Sequence, residues 1–271
     1  MQAEDHLRAG RVDEALQALQ EQVRNKPEDI RLRGFLFQLL ALLGQWDRVS
    51  TQLKVFANLD PQALMIATIY ERVVEAERLR ANIVAGKATP VIFGEPEPWM
   101  AQLLHGNELA AKGDYAGAGK CLQEALDAAP ETPGSINSKP CNWLADSDLR
   151  FGPMLEAVID GRYFWVPFFR IKTLQVQAPK HVRDLVWLPA GFVWTNGGEA
   201  SGFIFVRYPG TEAAADGQLR LSRKTEWHEK AEGLSFGVGQ RVIATDSEDF
   251  AVLDLRAIEL APTPPAVAQS T

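Results

Sequence analysis

Gly10-Arg11-Val12-Asp13-Glu14-Ala15, followed by Leu19 and Pro27, decides the fold of the first half because its pattern occurs three times. Gly44-Gln45-Trp46-Asp47-Arg48-Val49 leads to Leu53 and Pro61, and Gly113-Asp114-Tyr115-Ala116-Gly117-Ala118 leads to Leu122 and Pro130. Glycine and proline stand 17 residues apart in every copy. The glycine suits a tight turn between two helices, where a positive φ is cheap only without a Cβ. The apolar residue two positions on (Val12, Trp46 or Tyr115) staples the hairpin. The small residue five positions on (Ala15, Val49 or Ala118) lets the two helices approach. The proline ends the second helix, since it lacks an N–H and its ring clashes with the preceding turn.

The first two copies begin 34 residues apart, the period of tetratricopeptide (TPR) repeats, whose unit is a helical hairpin. The third begins 69 residues after the second, close to two periods. Leu7, Val12, Ala15, Leu16, Leu19 and Val23 fall on one helical face. Residues 61–86 read as a long helix with apolar Leu64, Ile66, Ile69, Tyr70, Val73, Val74 and Leu79. Pro90, Gly94, Pro96 and Pro98 then break the pattern, which suggests a degenerate repeat with a rigid connector. Scaffolds of this kind bind peptides or helices of other proteins, so the first half reads as an adaptor rather than a catalyst.

At 271 residues and 46% hydrophobic, the chain can bury a sizeable core, and its length suggests two domains. Net charge is −7, with 14 basic and 19 acidic groups in residues 1–135 and 14 and 16 beyond. No basic stripe marks a nucleic-acid or anionic-membrane surface. No run approaches the ~18 consecutive apolar residues of a spanning helix. The first residues belong to an amphipathic repeat, not to a basic and apolar signal segment. Cys121 and Cys141 are too few for a disulfide framework. A reduced cytoplasm is the expected compartment.

The predicted class is α+β: N-terminal TPR-like helical repeats (residues 1–135), then a mainly antiparallel β domain (143–260), then a disordered tail (261–271) rich in proline. Residues 131–142, with Pro133, Gly134, Ser135, Asn137 and Pro140, read as a linker. A short helix is expected near 149–160, ending at Gly161, with Asp146-Ser147-Asp148 capping it. Tyr163 to Ile171 reads as a strand, interrupted or edge-placed at Pro167. Val182 to Trp194 holds one or two strands around Pro189. Asn196-Gly197-Gly198 signals a hairpin turn, and Phe203 to Tyr208 follows as a strand. Leu219–Trp227, Gln240–Thr245 and Ala251–Leu255 complete the strand set.

Catalytic signals are weak. Gly233-Leu234-Ser235-Phe236-Gly237 matches the G-x-S-x-G nucleophile elbow by letter, but an elbow needs a strand before it, a helix after it and a histidine downstream. Here turn and strand residues follow, and the last histidine, His228, lies upstream. His6, His105, His181 and His228 are scattered without zinc-ligand spacing. Asp246-Ser247-Glu248-Asp249 reads as a solvated hairpin loop, and neither acidic run continues into a calcium loop. Gly237-x-Gly239 lacks the third glycine of a dinucleotide fingerprint. No catalytic, metal or cofactor-binding residue is assigned, and the partner-binding residues are left unknown. Trp143, Trp165, Trp187, Trp194 and Trp227 all lie in the second half. Most should be core, and one or two are candidates to line a groove for an apolar peptide helix.

The second half resembles a known family. Asp146-Ser147-Asp148-Leu149-Arg150-Phe151-Gly152-Pro153 with Glu156 is similar to its opening motif, and Gly161-Arg162-Tyr163-Phe164-Trp165-Val166-Pro167 to the next segment. Arg183-Asp184-Leu185-Val186-Trp187-Leu188-Pro189-Ala190, Arg207-Tyr208-Pro209-Gly210, Thr225-Glu226-Trp227, Gly239-Gln240-Arg241 and Leu253-Asp254-Leu255-Arg256 continue it in order. This set resembles the ImpE/TagJ family of accessory proteins of bacterial type VI secretion systems, over residues 1 to about 260. The resemblance implies a cytoplasmic, non-enzymatic factor of the contractile sheath. It implies two partners, the N-terminal helix of the small sheath subunit and the ClpV-type AAA+ ATPase that recycles contracted sheaths. Two other readings stay open. One is an enzyme whose site is the polar cluster Arg150, Arg183, Asp184, Arg207, Tyr208 and Glu226, against a buried ion-pair network as its plain explanation. The other is a chaperone-like TPR scaffold for another secretion component.

Overall fold

The computed structural model describes residues 2–261; Met1 and 262–271, with nearly all of the expected tail, lie outside the described residues. Helices α1 (Ala3–Arg8) and α2 (Val12–Asn25) form the first hairpin, and α3 (Ile30–Leu42) and α4 (Trp46–Leu59) the second. A single long α5 (Pro61–Val84) follows, and then a third hairpin of α6 (Pro98–Ala111) and α7 (Tyr115–Ala128). The three hairpin glycines Gly10, Gly44 and Gly113 sit at φ +79°, +65° and +84°. Ala15, Val49 and Ala118 are fully buried where the paired helices touch, and the whole expected face from Leu7 to Val23 is buried. Pro61 opens α5 rather than merely ending α4. Asp60 caps it by accepting from the Gln62 N–H at 2.8 Å, and proline is preorganised for a first helical turn.

The β half has thirteen strands among the described residues: β1 (Gly134–Ile136), β2 (Lys139–Cys141), β3 (Leu144–Asp146), β4 (Met154–Ile159), β5 (Arg162–Pro167), β6 (Ile171–Val176), β7 (Trp187–Trp194), β8 (Glu199–Phe205), β9 (Thr225–Ala231), β10 (Leu234–Gly239), β11 (Val242–Thr245), β12 (Asp249–Ala251) and β13 (Ala257–Leu260). A one-turn helix α8 (Gly217–Arg220) lies between β8 and β9. Eight strands make one sheet in the order β2-β1-β13-β6-β7-β8-β4-β5. A three-stranded sheet β12-β11-β3 and the hairpin β9–β10 accompany it. The paired strands are antiparallel throughout.

Several local expectations need correction. The helix near 149–160 is instead a turn followed by β4, whose six residues are all buried between β8 and β5. A strand covered on both faces shows no alternation and is indistinguishable by pattern from a buried helix. Asp146 and Asp148 therefore cap no helix. The linker 131–142 contains the β1–β2 hairpin, whose turn residues Asn137 and Ser138 sit at φ +51° and +68°, as a two-residue hairpin turn requires. Leu219–Trp227 is not one strand: Leu219 ends in α8, where Asp216 accepts from the Gln218 N–H at 2.7 Å, and β9 starts only at Thr225. Ala251–Leu255 becomes the end of β12 and a 3₁₀ turn, with β13 beyond it. Val182–Trp194 yields one strand, β7, with Pro189 inside it.

The eight-stranded sheet separates two apolar cores. On one face Val158, Tyr163, Trp165, Trp187 and Phe205 join Phe37, Leu39, Tyr70, Leu103 and Leu122 of the helices in one continuous cluster. On the other face Leu155, Val166, Leu174, Phe192 and Ile204 pack with Leu144, Ile243 and Ile258. Both sheet margins are blunted. The β5 edge is covered by the connector after α5, through Phe93 N–H to Trp165 O and Trp165 N–H to Val91 O, both 2.9 Å. β2 at the far edge carries Pro140, which cannot donate to another strand.

Candidate protein-docking surface and the charge network beneath it

The polar residues read from the sequence as one cluster are dispersed. Arg150 pairs with Asp148 at 2.6 Å, and Asp148 also accepts from the Gly237 N–H at 2.8 Å. Arg183 lies over the Tyr70 ring, 4.9 Å from its centroid. Asp184 accepts from the Lys180 and His181 N–H groups at 2.7 and 2.8 Å. Glu226 is exposed and pairs with Lys224 at 2.6 Å. Of the six, Tyr208 alone bonds through its side chain into the main buried network, whose other members lie outside that cluster. Glu156 of β4 accepts from Arg80 of α5 through two bonds of 2.8 and 2.7 Å, and also pairs with Arg241. Arg241 reaches Asp146 at 2.6 Å, and the Tyr208 hydroxyl donates to Asp146 at 3.0 Å. Tyr163 donates to Glu156, and Trp165 Nε1 donates to the Tyr163 hydroxyl at 2.7 Å. Beside this network Trp187 Nε1 donates to Glu77 of α5 at 2.8 Å.

Burial works to raise the Glu156 carboxyl, but the Arg80 and Arg241 charges outweigh it and hold the group at about 2, below the ordinary 4.5. Burial pushes Asp146 up to about 7 against the pull of Arg241. Its neighbours Arg241, Tyr208 and the Asp148 N–H nevertheless all donate to it, the pattern of a carboxylate. The two groups act oppositely on stability. Because the unfolded chain protonates Glu156 first, its contribution is complete above pH 4.5 and is lost as pH falls from 4.5 to about 2. Asp146 with its raised pKa favours the native state at low pH, and that contribution fades as pH rises from 3.8 to about 7. Stability of the wild type, measured by urea unfolding, should therefore fall more steeply below pH 4.5 than that of Glu156→Gln. Parallel acid limbs would contradict the ionised, doubly paired Glu156.

Three more arginines fasten the helical hairpins to the β half. Arg207 is buried and donates to Leu42 O at 2.7 Å and Arg220 O at 3.0 Å, the last carbonyls of α3 and α8. Arg223 does the same for α1, reaching Leu7 O and Arg8 O, each at 3.0 Å. A cation at a helix C-terminus meets both unpaired carbonyls and the negative end of the helix dipole. Arg220 pairs with Asp13 in the first turn of α2 at 2.8 Å. The turn glycines serve this docking as well. A Cβ on Gly10 would strike Gln218, and one on Gly44 would strike Glu212, whereas Gly113 faces open space.

Ser235 lies within β10, opposite Glu229 in a hairpin with a register shift, so it occupies no strand-to-helix elbow. Gly237 of that motif lies where a Cβ would strike the Tyr208 ring, and its N–H serves Asp148. Asp246 accepts from the Asn142 N–H at 2.9 Å and tethers the turn after β2. Trp165, Trp187 and Trp194 are buried, while Trp143 and Trp227 are exposed.

The surface most suited to docking lies on α5, which no tryptophan marked. Leu64, Met65 and Ile69 are 57%, 69% and 43% exposed, with Leu59 at 37% just before them. Two grooves flank this ridge. One of about 820 Å³ runs between α5 and the sheet, walled by Ile69 and Val73 and floored by Val158, Pro189, Gly191 and Phe203. The other, about 340 Å³, runs between α4 and α5 beside Leu53 and Ala57. Among the described residues no helix is long and apolar enough to cross a membrane.

Helical hairpins strapped by arginines to one face of an antiparallel sheet, with an apolar ridge left outside, define the class: an α+β protein whose two halves share one core. The same architecture is found in a crystal structure of a protein from Vibrio parahaemolyticus, with a TM-score of 0.87 and 25% identity over 96% of this chain and 98% of that one. A family model described as ImpE protein matches residues 138–259. The type VI secretion system accessory component TagJ of Pseudomonas aeruginosa is 47% identical over 97% of this chain and 92% of its own length. The chain belongs to the ImpE/TagJ family.

Proposed function

We propose that the protein is a type VI secretion accessory component that acts as an adaptor of the contractile sheath. The observation that carries this is the 47% identity, along nearly the whole chain, to a relative named as such a component. The finer reading is that it binds the N-terminal helix of the small sheath subunit, associates with the ClpV-type AAA+ ATPase, and works in the cytoplasm without catalysis of its own. Three glycine-turn hairpins of TPR-like spacing support a helix-binding scaffold. Of the polar residues that motivate an enzymatic alternative, Arg150, Asp184, Arg207, Tyr208 and Glu226 are engaged by partners within the protein. An amphipathic helix laid in a groove would present apolar residues at i, i+3, i+4 and i+7. Titration calorimetry of the full chain against a synthetic N-terminal peptide of the small sheath subunit from the same organism should show saturable one-to-one binding. A folded protein that gives no heat, and that retains no ATPase in a pull-down, would remove the sheath reading.

A further inference from the structure

We propose that the open edge of β9 is a contact between two copies of this chain, paired antiparallel about a two-fold axis through His228. The contact goes beyond the adaptor reading and does not depend on it.

The hairpin β9–β10 is a sheet of its own, so β9 has a neighbouring strand on one side only. Residues 226–230 are exposed without a break. Trp227 among them is 42% exposed, with its ring set against Tyr208, centroids 5.5 Å apart. The direction of the free backbone groups follows from the pairing with β10. Gly239 stands opposite Thr225, and the Gln240 N–H donates to Lys224 O at 3.0 Å. Lys224, Glu226 and His228 therefore turn their N–H and C=O groups towards β10, because the bonding direction alternates along an antiparallel strand. Thr225, Trp227 and Glu229 turn theirs outward, and among the described residues no backbone bond meets them. An unpaired row of this kind is a template for another strand.

Charge identifies the strand that fits. Charged side chains ordinarily blunt an edge, but here their signs complement one another in a single self-paired register. A two-fold axis through Glu229 would set Glu229 against itself, and one through Trp227 would set Lys224 against Lys230. An axis through His228 sets Glu226 opposite Lys230 of the second copy, twice by symmetry. Opposite charges directly across a pair stabilise it and like charges destabilise it. Lys230 makes no ion pair within its own protomer among the described residues. It lies over the Tyr115 and Phe236 rings, 6.0 and 5.7 Å from their centroids, on the face that His228 shares with Phe236. In the same register Trp227 exchanges both backbone bonds with Glu229 of the second copy. The two Trp227 rings then lie diagonally across the axis, within reach of each other on the opposite face. The hairpin bulges at Lys230, where the pairing passes from Glu229 to Ala231, so the contact is short and the association weak. On the adaptor reading, such a dimer presents two docking surfaces to an array of repeated subunits, and linked sites hold an array more tightly than either alone.

The test is sedimentation equilibrium of the full chain up to about 500 µM, a range suited to a small interface. A monomer–dimer equilibrium is expected. Lys230→Glu alone and Glu226→Lys alone should each raise the dissociation constant about tenfold or more, because like charges then oppose each other at both ends of the contact. An equimolar mixture of these two variants should associate again, since each supplies the sign the other lacks. Both positions are exposed, so melting should be unaltered. Amide exchange followed by NMR should slow at Trp227 and Glu229 as concentration rises, while His228, already bonded to β10, is unchanged. A wild type that stays monomeric over the whole range overturns the proposal. So does a dimer that survives both charge reversals, or one that the mixture fails to restore. The adaptor reading stands in each of these cases.

Discussion

Glu156→Ala is expected to destabilise the protein by about 3–5 kcal/mol, the cost of breaking a buried ion pair by removing one partner. The reason is the asymmetry of the network. Glu156 is fully buried and is the one carboxylate held by both Arg80 and Arg241. Its removal leaves Arg241 with Asp146, leaves Arg80 with Glu77 at 3.6 Å and the Arg207 carbonyl, and deprives the buried Tyr163 hydroxyl of its acceptor. Guanidinium chloride unfolding should show a lower midpoint at unchanged slope. A loss under about 1 kcal/mol would mean that the arginines find water or other acceptors, and the ionic strap would lose its importance. Replacing Arg80, Glu156 and Arg241 together with apolar residues of similar volume should cost much less, since exchanging a whole buried network for apolar packing is often neutral.

Trp187→Ala should be comparably severe, about 3–5 kcal/mol, because it removes a large fully buried ring at the junction of helices and sheet. Trp187 packs against Trp46 and Tyr70, with ring centroids 5.9 and 6.0 Å away, and hydrogen-bonds Glu77. Burial already raises the Glu77 carboxyl, and loss of the indole donor leaves it to the Arg80 guanidinium, 3.6 Å away, and the charge of Arg207. Trp187→Phe keeps most of the packing and loses the hydrogen bond, for which about 1–3 kcal/mol is expected. If the two substitutions prove equally costly by chemical denaturation, the hydrogen bond rather than the ring dominates at this position.

Hairpin glycines were legible because one residue type has one local cause, a positive φ, repeated at a fixed spacing. Strand β4 was not, because burial on both faces erases alternation. The β1–β2 hairpin was hidden by the very residues that make its turn, Asn137 and Ser138, which also typify linkers. Arg80 and Glu156 stand 76 residues apart in sequence, and nothing local announces that an arginine on a helix will meet a glutamate on a strand. The ridge on α5 is half legible. Leu64 and Ile69 belong to an apolar helical pattern in the sequence, but only the packing shows that they point away from the core. The family motifs around Glu156 and Arg241 did flag positions that prove to be network residues, though the spacing of those motifs did not connect them.

The sheet shares one apolar core with the helices, and this bears on how the chain is cut in the laboratory and in the cell. A fragment ending near residue 135 would expose the surfaces that Trp165, Trp187 and Phe205 cover. Loss of partner capture by such a fragment would report collapse and proteolysis rather than the position of a binding site. A nonsense or frameshift allele in the second half should act as a null allele, removing the helical half as well through degradation. Point substitutions of exposed side chains are the cleaner genetic instrument, since they leave the shared core intact.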